Sequence, residues 1–109
     1  MSPDPTHERK VSMAENLMTE HRRLAVLKHL ERCSQYTSNA SILIDVVRGV
    51  GVPSSEDQLR SALAWLDEQD LIEITDHGHV VIAVATSRGC EVARGDVTHP
   101  GVKRPSARG

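Results

Sequence analysis

Between Met13 and Arg32 the apolar residues Met13, Leu17, Leu24, Leu27 and Leu30 recur at helical steps, with Glu15, Glu20, Arg22, Arg23, Lys28 and Glu31 between them. That spacing predicts a long amphipathic first helix. A second, shorter apolar set, Ile42, Leu43, Val46, Val47 and Val50, follows Ser38 and Asn39 and is closed by Gly49 and Gly51. Ser and Asn are good N-caps and Gly suits a helix C-terminus, so a second helix is predicted. Pro53-Ser54-Ser55-Glu56-Asp57 reads as a turn and a capped start, because Ser oxygens satisfy free amides and carboxylates suit the positive end of the helix dipole. Leu59, Ala62, Leu63 and Leu66 repeat behind it, which predicts a third helix running to Gln69 or Asp70.

The period then changes. Leu71 to Thr75 and Val80 to Ala85 are rich in β-branched residues and flank Asp76-His77-Gly78-His79. A glycine at a tight reversal permits positive φ, so the pattern predicts a two-stranded β-hairpin. Thr86 or Ser87 then caps a short fourth helix from Arg88 to Arg94, stopped by Gly95. Residues 1–11 and 96–109 carry prolines, glycines and charges without a period. They are expected as a disordered leader and a flexible basic tail around one domain at 12–95.

A chain of 109 residues supports one core of ordinary size. It has no Phe, and only Tyr36 and Trp65 supply aromatic area, so the core must be aliphatic. Trp65, beside Leu63 and Leu66, is expected as the largest core or boundary side chain. The longest apolar run, Val80 to Ala85, is far below the ~20 residues that span a bilayer. The N-terminus is polar rather than signal-like, and a cytoplasmic protein with no membrane partner is expected.

Helix, helix, helix, hairpin, helix is the element order of a winged helix-turn-helix, mainly α with a small β-hairpin. The stretch from Leu59 to Ile72, LRSALAWLDEQDLI, resembles the third-helix-to-strand junction of winged-helix regulators of the MarR and ArsR kinds. From Arg22 to Pro105 the chain also resembles a family of small Mu-like prophage proteins often labelled ArsR-type regulators. The residues that carry this are Arg22 to Leu27, Ala62 to Leu66, Thr86 to Gly89 and Pro100 to Pro105. The resemblance implies a winged-helix, transcription-regulator-like protein of prophage origin.

Metal-sensing ArsR repressors hold soft ions through clustered thiolates, commonly Cys-x-Cys in the second or third helix. Here the two cysteines, Cys33 and Cys90, are far apart and lie in neither, so no metal or other cofactor is expected. His77 and His79 flank Gly78 as two potential ligands on a turn, and read as exposed turn residues able to touch phosphate. No Gly-rich phosphate loop, nucleophile triad or acid pair is present, so no enzyme is expected.

The expected function is binding of double-stranded DNA, with the third helix in a major groove. Ser55, Gln58, Arg60 and Ser61 are its candidate groove residues, His77 and His79 its hairpin contacts, and Lys103, Arg104 and Arg108 its phosphate contacts. Against this stand five acids, Glu56, Asp57, Asp67, Glu68 and Asp70, facing the single Arg60 in the same segment. Phosphate repels such a helix. The alternative is a winged-helix scaffold whose acidic surface meets a phage or host protein, or a homodimer formed through the first and fourth helices.

Overall fold

The computed structural model describes residues 5–106, with side chains from Met13 onward. The chain is mainly helical with a small three-stranded antiparallel sheet. Its elements are α1 (Pro5–Arg32), a 3-10 turn (Ser34–Tyr36), β1 (Thr37–Asn39), α2 (Ala40–Gly49), α3 (Glu56–Glu68), β2 (Ile72–Asp76), β3 (Val81–Ala85) and α4 (Ser87–Arg94).

Local chemistry sets most of these boundaries. Asn39 accepts from the Ile42 amide at 3.0 Å and starts α2. Ser55 caps α3, Thr86 accepts from the Gly89 amide at 3.0 Å to start α4, and Gly95 ends α4 at φ 85°. These are the capping positions expected from residue type alone. In the reversal between β2 and β3, Gly78 sits at φ +87°, the His77 amide donates to the Val80 carbonyl at 2.8 Å, and Asp76 Oδ1 accepts from the Gly78 amide at 2.7 Å.

Three expectations need correction. The hairpin is not alone: β1 pairs with β3 through Thr37–Val84 and Asn39–Ile82, so the sheet order is β1-β3-β2. A strand of three residues has no measurable period, and its stability comes from pairing with a partner more than 40 positions away. Second, α1 starts at Pro5 rather than Met13, taking in residues 5–11 that the sequence pattern assigns to a leader. Proline suits a first helical turn, and these residues carry no apolar repeat by which a period could reveal them.

The third correction concerns the tail. Residues 96–106 pack on the fold instead of trailing into solvent: Val102 is buried, Val97 lies against the core, and the Lys103 amide donates to the Glu20 carbonyl at 3.3 Å. Val97 and Val102 reach the core from a segment whose prolines and glycines resemble a loop.

The core is aliphatic. Leu27 and Leu30 of α1, Leu43 and Val47 of α2, Leu63 and Leu66 of α3, and Leu71 at the start of the hairpin are all fully buried. Ala83 and Ala85 of β3 and Val92 of α4 close it. Upstream of Leu24 the stripe of α1 loses its cover: Met13 and Leu17 are 66% and 65% exposed. No helix among the described residues is long and apolar enough to cross a membrane.

Candidate nucleic-acid interface

The link from α2 to α3 is built as a rigid corner. Arg22 reaches from α1 and donates Nε to Ser54 Oγ at 2.6 Å and Nη2 to the Pro53 carbonyl at 3.0 Å. Arg48 donates to the Ser54 carbonyl at 3.0 Å, and Ser54 Oγ donates onward to the Val52 carbonyl at 2.9 Å. Such cross-links fix the angle at which the start of α3 leaves the body of the protein.

At that start, Ser55 and Gln58 form a capping box. Ser55 Oγ accepts from the Gln58 amide at 3.0 Å, and Gln58 Oε1 accepts from the Ser55 amide at 2.9 Å. Two of the four groove candidates are therefore engaged in capping the start of α3, with the Gln58 amide hydrogens still available to donate. Arg60 and Ser61 are exposed. Arg60 shares a cleft of about 200 Å³ with His79 of the hairpin turn, Glu56, and Asn39 and Ser41 at the start of α2. Ser61 and Gln58 face a different and larger cleft against α1.

The remaining candidates stand elsewhere. His77 is exposed in the hairpin turn. Lys103 borders a hollow of about 370 Å³ with His21, Lys28 and Arg32 of α1, while Arg104 is exposed beside it in sequence. Arg108 lies outside the described residues. The basic groups thus gather on the α1 and C-terminal side, whereas the exposed charges of α3 are Glu56, Asp57, Asp67 and Glu68 against Arg60. Helix-dipole stabilisation accounts for Glu56 and Asp57 at the first turn. It does not account for Asp67 and Glu68 at the last.

Sequence patterning misses a second cluster, centred on Trp65. The Arg23 guanidinium lies 3.7 Å from the centroid of its ring and donates Nη1 to the Gly101 carbonyl at 2.9 Å. His99 meets the same ring edge-on at 5.2 Å. His99 Nε2 pairs with Gln69 Oε1 at 3.1 Å and Nδ1 accepts from the Gly101 amide at 3.2 Å, an arrangement that suits the neutral ring with its proton on Nε2.

Burial, with Arg88 and Arg23 nearby, holds the His99 pKa below its ordinary value. Folding therefore favours the neutral ring. The resulting stability is full above the unfolded pKa of about 6.5 and is lost as the pH falls through that value toward the folded one. In urea titrations at about pH 7.5 and about pH 5, wild type is expected to lose more stability on acidification than His99→Gln. Equal losses would show that His99 does not carry this dependence.

Cys90 is buried and burial pushes its thiol pKa up, while Cys33 is half-buried just beyond α1. Cys90 therefore lacks the character of an activated thiolate. Among the described residues no group of three or more His, Cys, Asp or Glu is placed to hold a metal ion.

No family model matches the chain. It is 38% identical over 96 residues to the uncharacterized protein gp26 of Escherichia phage Mu, an alignment that covers 88% of the chain and 99% of that protein. It is 37% identical over 70 residues to an uncharacterized protein of Haemophilus influenzae, covering 62% of the chain and 68% of that protein. Neither name carries an ArsR or regulator designation. Likeness over nearly the whole length of both chains places this protein in the family of the phage Mu protein gp26.

Proposed function

We propose that the chain is a winged-helix protein that binds double-stranded DNA through α3 and the β2–β3 hairpin. The observation that carries this reading is the convergence of Arg60 and His79 on one cleft, with the corner before α3 held rigid by Arg22 and Arg48. The order of elements and the sheet order β1-β3-β2 support it, because a hairpin that follows three helices is the order a winged helix-turn-helix would have. Arg60 would reach base edges or phosphates, His77 and His79 would follow the backbone, and Lys103, Arg104 and Arg108 would supply charge from outside the groove, whereas Ser61 is turned to the cleft against α1.

The test is a fluorescence-anisotropy titration of labelled duplex at low and at physiological salt. Removing residues 96–109 is a poor comparison, since it strips Val102 from the core. Arg60→Glu and the double substitution Lys103→Glu with Arg104→Glu change charge at exposed positions instead. Wild type is expected to bind with a steep salt slope, and Arg60→Glu to weaken binding about tenfold or more at low salt. The double substitution should flatten the slope by about two.

Absence of binding at low salt would overturn the reading. It would favour the second one, a scaffold for protein contacts, which draws support from the acidic exposed face of α3 and from the uncovered Met13 and Leu17 on α1.

A further inference from the structure

The cleft between α1 and α3 is lined by two desolvated arginines, neither in an ion pair among the described residues, with Glu20 acting on Arg23 at longer range. Arg22 is 4% exposed, yet both hydrogen bonds that fix it go to neutral oxygens, Ser54 Oγ and the Pro53 carbonyl. Beside it, Arg23 is half-buried, donates to the neutral Gly101 carbonyl, and has a buried Nε with no hydrogen-bond partner. Among the described residues the arginine in ion pairs is Arg94, so neither of these two guanidiniums has a carboxylate within pairing distance. Buried charges are ordinarily paired, because desolvation penalises them heavily when they stand alone.

Both residues line a cleft of about 580 Å³, together with Thr19, Gln58 and Ser61. The bonds to Ser54 and Pro53 occupy Nε and one proton of Nη2, which leaves the outer Nη1–Nη2 edge of Arg22 as an unused fork. A planar fork of this kind matches two oxygens of one anionic group. Glu15 and Asp57 line the same cleft, and their carboxylates repel a polyanion while tolerating a single compact charge held at the arginines.

We propose that this cleft is a binding site for a small molecule bearing an oxyanion, a carboxylate or a phosphate group, clamped by Arg22 and flanked by Thr19, Gln58 and Ser61. The proposal does not rest on the DNA reading, although both involve the corner that Arg22 holds. Arg22 is too deeply covered to meet a duplex, and occupancy of the cleft would instead bear on the corner that Arg22 holds at the start of α3.

The test uses the full chain labelled with ¹⁵N-arginine, following the Arg22 and Arg23 Nε–H signals by NMR. Inorganic phosphate and acetate are titrated separately, with chloride adjusted to constant ionic strength. A saturable shift with either anion is expected, and the anion that saturates at lower concentration identifies the group.

Arg22→Ala risks the fold, so the discriminating variant is Gln58→Glu, which preserves the Ser-x-x-Glu form of the capping box and adds a carboxylate to the cleft wall. It is expected to raise the dissociation constant about tenfold at unchanged thermal stability. Shifts that stay linear for both anions would mean an adventitious ion only, and that result would overturn the proposal. Saturation that is indifferent to Gln58→Glu would overturn it equally, since the anion would then be held somewhere else.

Discussion

Gly89→Ala is expected to remove about 3 kcal/mol of folding stability and to lower the Tm by roughly 10 °C or more. A Cβ at Gly89 would be driven into the Leu71 carbonyl oxygen and would also meet Leu27 Cδ2 at 3.3 Å. Neither neighbour can give way easily. The Leu71 carbonyl is held by the Thr86 amide at 3.0 Å, while Thr86 Oγ1 donates to the Asp70 carbonyl at 2.7 Å, and Leu27 is fully buried. The added methyl must therefore push α4 away from α1 and loosen Cys90, Val92 and Ala93 in the core.

Gly49→Ala is the matched comparison. Gly49 closes α2, and nothing lies within 4 Å of the position its Cβ would take. Alanine there is expected to be neutral or to stabilise by up to ~1 kcal/mol, because it restricts the unfolded chain without meeting anything in the folded one. Thermal melts of the two variants read out both statements. A Gly89→Ala protein within about 1 kcal/mol of wild type would mean that α4 is not seated against Leu71 as described.

That glycine marks the limit of what the sequence discloses. Asn39, Ser55, Thr86 and Gly95 act within a few residues of themselves, so their types and positions are enough to place the ends of α2, α3 and α4. Gly89 is governed by a carbonyl 18 positions away. β1 is likewise visible only through β3, and Thr37 to Asn39 reads by itself as the approach to a helix. Apolar period has the opposite failing: it marks Met13 and Leu17 as strongly as Leu24 and Leu27, although only the second pair is covered.

The candidate site divides in the same way. Ser55 and Gln58 have the spacing of a capping box, a local signal that accounts for both without invoking a ligand. Arg60 and His79 belong to elements adjacent in the predicted order, and the structure brings them to one cleft. Arg22 and Arg23 pattern as ordinary solvated charges on an amphipathic helix. Their burial follows from Pro53 and Ser54, and from Trp65 and Gly101, which approach α1 only when the chain is folded.

The second large effect is expected at Trp65, where truncation to alanine should cost about 3 kcal/mol and release the C-terminal segment at the same time. Trp65 is half-buried, a boundary residue rather than a member of the sealed core, and its outer surface is roofed by residues 99–101. Its ring supports Arg23, whose guanidinium in turn holds the Gly101 carbonyl. Gly101 packs so close to Trp65 Cζ2 that any side chain there would collide with the ring.

Loss of the indole therefore removes the floor beneath His99 and Gly101 together, and Val102 loses the neighbours that hold it in place. Hydrogen exchange separates this from simple destabilisation. The Val102 amide, bonded to the His99 carbonyl at 3.1 Å, and the Lys103 amide, bonded to Glu20, should lose protection in Trp65→Ala well before the amides of α3 do. Trp65→Phe, which keeps an aromatic face for Arg23, should retain most of that protection. If Val102 and Lys103 in the alanine variant exchanged no faster than the rest of the fold, the C-terminal segment would be anchored by its own valines, and Trp65 would be a packing residue without a docking role.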